Sequence, residues 1–157
     1  VAFKTAYIEP VFFVRWIDPV PLDTHRVSDE FREARSRAGH PLVYIAIVPE
    51  ECAVPDDATR AAMVSERDRV LPECSAMHIV MEGSGFKHAI LRNAMAAMQL
   101  VAGSRDKKIV VGRTLDEALA NASRTVPSEQ RFSVATVLAK AMAAGVATPP
   151  AARAGNR

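Results

Sequence analysis

The sequence predicts a single α/β domain on a mostly parallel sheet of four or five strands, opened by an antiparallel hairpin. Three observations carry that expectation. Two short strand-like runs stand at the start, Phe3 to Ile8 and Val11 to Ile17. From there to about Thr125, helix-like and strand-like segments alternate, the chain order of right-handed crossovers in a parallel sheet. One run, Leu42 to Val48, is almost unbroken in apolar residues, as in a strand covered on both faces; a half-solvated strand alternates.

Each element has its own local reason. Val11, Phe12, Phe13, Val14, Trp16 and Ile17 are the β-branched and aromatic types that strands favour. Pro10 denies the join a ladder donor, so the hairpin turn should be irregular. Asp18-Pro19-Val20-Pro21 then interrupts the chain before a helix from about Asp23 to Ala38. Asp23 or Thr24 is suited to cap that helix and Gly39 to close it in a left-handed conformation. Val27, Phe31, Ala34 and Ala38 form its buried stripe, leaving Arg32, Glu33, Arg35, Ser36 and Arg37 in water.

After the strand that starts at Pro41, a helix begins near Asp56-Asp57, where acidic groups oppose the helix dipole, and stops at Pro72. Met77 to Met81 is the next strand, with His78 within it as a hydrogen-bonded core residue. Glu82-Gly83-Ser84-Gly85 turns into a helix from Phe86 to about Ala102, and Lys107 to Val111 is the last strand. Thr114 and Glu117 make a capping box for a helix to about Ser123. Pro127 and Ser128 open a further helix with Phe132, Ala135, Ala139 and Met142 on one face. Beyond Gly145 the Ala, Pro, Arg and Gly content predicts disorder.

Composition bounds the function. A chain of 157 residues buries roughly 70% of its unfolded surface, enough for a core without metal or disulfide staples. Hydrophobic residues at 49% and charged residues at 24% describe a globular domain. A net charge of +2 is too small to point to nucleic acid. No signal peptide is visible and none is expected, no run of the ~20 apolar residues a bilayer span needs occurs in the sequence, and Cys52 and Cys74 suit a reduced cytosolic protein at least as well as a disulfide. A cytoplasmic protein is expected.

No acid–base or nucleophile pair, and therefore no catalytic residue, can be placed by spacing. His25, His40, His78 and His88 are scattered rather than spaced as zinc ligands, so no metal is expected. Cys52 follows Glu50-Glu51, which disfavours a thiolate. The strongest ligand signal is Gly83, Ser84, Gly85, Lys87 and His88, where a glycine turn leads into a helix N-terminus that attracts anions. The same spacing fits an ordinary strand-to-helix turn capped by Ser84. Met95 and Met98 suit either a core or an adaptable contact face.

The order of elements, with Trp16-Ile17-Asp18 before a helix at Thr24, a loop and Asp-led helix after Val48, and Glu117-Ala118-Leu119 in a late helix, resembles the STAS domain. That family includes the sporulation anti-sigma factor antagonists and the cytosolic parts of sulfate transporters. The resemblance spans roughly Val11 to Ser123. The expected organisation is a STAS-like domain over residues 1–125, a C-terminal helix over 126–146 packed on or extending it, and a flexible tail over 147–157. The family's Asp-Ser-Ser-Gly turn is replaced by Asp57-Ala58-Thr59-Arg60, which puts Thr59 where the antagonists carry a phosphorylated serine. The implied function is a non-catalytic signalling module, without cofactor, that docks a protein partner or a second copy of itself. Glu50, Glu51, Asp56, Asp57, Thr59, Met95 and Met98 would form the partner surface. The alternative is a small-molecule or lipid carrier holding an anionic head group near Ser84.

Overall fold

The computed structural model describes residues 2–83, 85, 88 and 109–149. Strands β1 (Phe3–Ile8) and β2 (Val11–Trp16) form an antiparallel hairpin across Glu9-Pro10, whose peptide bond is cis. Helix α1 (Pro21–Ala38), β3 (Leu42–Val48), α2 (Asp57–Val70) and β4 (Cys74–Met81) follow. Strand β5 (Ile109–Gly112), α3 (Leu115–Thr125) and α4 (Val134–Ala143) complete the described elements. The expected helix from Phe86 to Ala102, with Met95 and Met98, lies outside the described residues, as do Ser84, Lys87 and 150–157.

The protein is α/β: five strands in the order β1-β2-β3-β4-β5, antiparallel between β1 and β2 and parallel elsewhere. Because β2, β3 and β4 are consecutive neighbours, right-handed crossovers put α1 and α2 on one face. Helices α3 and α4 cover the other. Strand β3 is the central one. Its Val43, Ile45 and Ile47 pack with Phe13, Val80, Leu115 and Leu119 on the α3 face. Its Leu42, Tyr44 and Ala46 pack with Phe12, Val27 and Phe31 on the α1 face. A strand buried on both sides needs apolar residues at every position, which accounts for the continuous run.

Local chemistry accounts for the ends of the helices. Gly39 closes α1 at φ 75°, a left-handed conformation that costs a side chain its usual freedom. Asp56 accepts the Thr59 N–H at 2.7 Å, and Thr114 accepts the Glu117 N–H at 3.3 Å. Asp23 and Thr24, expected as caps of α1, lie inside it instead. Pro21 fills the first turn, where a missing N–H is no loss. Asp23 Oδ2 then accepts the Val20 N–H at 3.0 Å, and the Thr24 hydroxyl donates to the Pro21 carbonyl at 2.7 Å.

Three further expectations are corrected. The last helix starts at Val134, not at Pro127, because Ser133 accepts the Thr136 N–H at 3.3 Å and a 3₁₀ turn (Ser128–Gln130) intervenes. Its buried residues are Val137 and Ala141, while Ala135 and Ala139 face water: in an alanine-rich helix the apolar contrast between faces is too weak to set the register. Val146 and Ala147, past the point where disorder was expected, are buried in the α3-side core. His78 is buried as expected, but nothing among the described residues hydrogen-bonds its Nε2. Burial holds its pKa below the ordinary histidine value.

Candidate interaction rim at the strand ends

Parallel strands send their carboxyl ends to one edge of the sheet, where α/β folds collect their sites. Arg15, one residue before the end of β2, reaches across two neighbouring strands there. Its Nη1 donates to Glu82 Oε2 at 3.0 Å, just past β4, and its Nη2 lies 3.8 Å from Glu51 Oε1 in the loop after β3. The Arg15 and Glu82 side chains keep only 14% and 18% of their surface in water, so this pair ties three strand ends together in a partly desolvated place. The Glu82 N–H adds a bond to the Val48 carbonyl at 3.0 Å.

The glycine turn sits beside this pair. Gly83 has φ 97°, and a side-chain carbon on it would lie 2.5 Å from Glu50 Oε2; Gly85 is also packed against the Glu50 carboxylate. Glycine is required at Gly83, by its left-handed φ and because the Glu50 Cβ as well as its carboxylate takes the space next to the backbone, whereas Gly85 meets only the flexible end of that side chain. The buried His88 ring donates from Nδ1 to the Glu82 carbonyl at 2.8 Å, which occupies that nitrogen inside the turn. Glu50, Glu51 and Glu82 therefore gather where an anionic head group was expected, and a carboxylate already holds the place beside the glycines. Like charge at that range repels an incoming anion.

Of the remaining predicted surface residues, Glu51, Asp56 and Asp57 are exposed on the rim. Thr59 is buried at 2% exposure, and its hydroxyl and N–H both bond Asp56, holding that carboxyl below its ordinary pKa. A phosphate on Thr59 would have to enter a packed helix start and face the acidic pair.

The rim also carries an apolar patch that composition did not reveal. Val20, Leu22 and Val54 leave 51%, 55% and 53% of their surfaces in water, and Ile17 leaves 36%. The Ala53 N–H approaches the Ile17 carbonyl at 3.4 Å, joining the loop after β3 to the end of β2. These residues stand beside the prolines at 19, 21 and 55 and belong to no periodic stripe. Apolar residues in a polar connection with no periodic partner were the available signal.

A second polar cluster binds α1 to α2. The buried Glu66 meets His25 Nδ1 at 2.7 Å and Arg69 Nη1 at 3.0 Å, with Arg32 Nη2 at 3.9 Å. Burial acts most strongly on its carboxyl and raises the pKa. Hydrogen bonds from Ser28 and His25 and the charges of Arg69 and His25 outweigh it, so the pKa ends below the ordinary 4.5. A depressed folded-state pKa contributes stability that is complete above the unfolded value and fades as pH falls through the folded one. Glu66→Gln is therefore expected to cost about 1–2 kcal/mol at neutral pH and less at about pH 4. Urea melts at the two pH values check it; an equal cost at both would remove the carboxylate from the explanation.

Among the described residues no three His, Cys, Asp or Glu side chains come together to hold a metal ion. Cys52 and Cys74 are buried and are not joined in a disulfide. No helix among the described residues is long and apolar enough to cross a membrane. No family model, curated protein or solved structure matches the chain.

Proposed function

We propose that this chain is a non-catalytic, STAS-like interaction module of the cytoplasm that docks a protein partner on the rim at the strand ends. The observation that supports the reading is the exposed patch of Ile17, Val20, Leu22 and Val54 among Asp18, Glu51, Asp56 and Asp57. Grouped apolar side chains with a polar border are the composition of a contact surface. Charge complementarity makes the partner an apolar segment flanked by Lys or Arg. The central sheet stays rigid beneath it, and no bond is made or broken.

The test compares the wild type with Leu22→Asp/Val54→Asp as bait in lysate of the native host. Val64→Asp serves as control, since Val64 is equally exposed (48%) but lies on α2 away from the rim. A partner held by the wild type and the control, lost from the double variant and weakened by salt, is the expected result. Capture that ignores the double substitution would remove the rim from the proposal. Sizing chromatography on the same three proteins tells a second copy of the chain from a different partner.

A further inference from the structure

Strand β1 stands at one edge of the sheet, with β2 as its neighbour on one side. The Ile17 N–H donates to the Ala2 carbonyl at 2.8 Å, so these two residues are a hydrogen-bonded pair of the antiparallel ladder. Bonded and non-bonded pairs alternate along such a ladder. Lys4, Ala6 and Ile8 therefore turn their N–H and C=O groups toward β2, while Phe3, Thr5 and Tyr7 turn theirs outward. Among the described residues nothing bonds those outward groups.

Sheet edges are commonly blunted by proline, a bulge or an outward charge. Strand β1 pairs with β2 over all 6 of its residues without a register shift and contains no proline. Its one charge, Lys4, is drawn toward its own α4: the Nζ lies over Gly145, 3.6 Å from where a side-chain carbon would stand. Both faces of the strand are already in use. Ala6 and Ile8 pack on the α3-side core, and Phe3 and Tyr7 on the α1 side. What stays open is backbone, which another extended strand can match.

We infer that β1 pairs antiparallel with β1 of a second copy, joining the two sheets about a two-fold axis at Thr5. In that register Phe3 stands opposite Tyr7 of the copy, Thr5 opposite Thr5 and Tyr7 opposite Phe3, so every outward donor and acceptor of the three residues is matched. Aromatic–aromatic and Thr–Thr pairs are favourable cross-strand neighbours, and Lys4 falls opposite Ala6 rather than another lysine.

Charge on α1 fits the same axis. Arg26, Glu30, Glu33 and Arg37 are exposed and recur at helical spacing, one residue round from the buried stripe. The Thr5 hydroxyl donates to Glu30, which puts this row on the β1 side and Glu30 level with the axis. Arg26 lies about 6 Å before Glu30 along the helix and Glu33 about 4.5 Å after it. The two-fold reverses the second helix, so Arg26 of each copy comes level with Glu33 of the other. Glu30 meets its own copy at the axis, and the Thr5 hydroxyl on each carboxylate offsets part of that repulsion. Opposite charges in register select this partner and this orientation. The contact uses residues other than those of the docking rim and stands or falls separately from it.

Sedimentation of the full chain over a range of concentrations tests the pairing. One strand pair and one helix row make a small interface, so a dimer with a Kd of about 1–100 μM is expected. Thr5→Pro removes an outward N–H that the β1–β2 ladder does not use, so it should stay folded and weaken the dimer about tenfold or more. Arg26→Glu should weaken it about threefold to tenfold, and adding Glu33→Arg should restore it; both positions are exposed, so this pair of variants carries the test if Thr5→Pro does not fold. The rim variant Leu22→Asp/Val54→Asp should dimerise as the wild type does. A chain that is monomeric at about 1 mM would overturn the inference. Failure of the charge reversal to restore the dimer, or loss of the dimer in the rim variant, would overturn it equally.

Discussion

Phe31→Ala is expected to destabilise the domain by about 3–5 kcal/mol, the range for deleting a fully buried aromatic side chain. Phe31 is 0% exposed at the middle of α1. Its ring lies 5.5 Å from Phe12 on β2 and 5.5 Å from Tyr44 on β3, edge-on to both, so one side chain joins a helix to two strands. The edge-to-face contacts add about 0.5–1.5 kcal/mol beyond the lost apolar area. The neighbours cannot collapse into the gap, because Phe12 and Tyr44 are fixed in the sheet. A small domain has about 5–15 kcal/mol in total, so the variant should melt far earlier in urea, with an unchanged denaturant slope. A cost below about 1.5 kcal/mol would mean that α1 does not rest on this ring.

Arg15→Met is the second large effect, at about 2–3 kcal/mol. Removing one partner of a fully buried ion pair costs about 3–5 kcal/mol, and the residual solvent contact here lowers that figure. Methionine keeps the apolar stem but strands the Glu82 carboxylate, 18% exposed and 3.0 Å from the lost guanidinium. Glu82→Gln in the same background should recover about 1 kcal/mol or more, since the uncompensated charge is gone. The four proteins form a double-mutant cycle, read by urea denaturation. Additive costs would show that the pair contributes nothing of its own. The same variant tests the rim: if the ion pair holds the three strand ends in place, Arg15→Met should also weaken the partner contact proposed for Leu22 and Val54.

The parts of the fold that could be read beforehand are those written in neighbouring residues. Strand β1 runs over the residues expected of it, and β2 and β3 differ by one residue at one end. Gly39 stands where expected, and Thr114 caps α3 through the Glu117 N–H, one of the two bonds of the expected capping box. The misreadings fall where local signals compete or fade: Pro19 and Pro21 crowd the start of α1 together with Asp18 and Asp23, and alanine blurs the faces of α4. The candidate site was only half legible. Its acidic residues were visible as a run after β3, but the crowding that keeps Gly83 a glycine comes from Glu50, more than thirty residues earlier. Arg15 and Glu82 are 67 positions apart, and His25 and Glu66 are 41 apart. No spacing rule connects them.

By itself, then, the amino-acid order determined the class of the protein, the central place of Leu42–Val48 and most helix ends. Periodicity, caps and turn residues act over a few positions and need no partner from elsewhere. Only the tertiary structure decided that Val20, Leu22 and Val54 stay in water beside an acidic border, and that Glu50 occupies the glycine turn. It also decided that the buried His78 keeps one nitrogen without a hydrogen-bond partner among the described residues. Those outcomes depend on which distant side chains the crossovers bring together, and on the space left when helices of fixed diameter cover a twisted sheet.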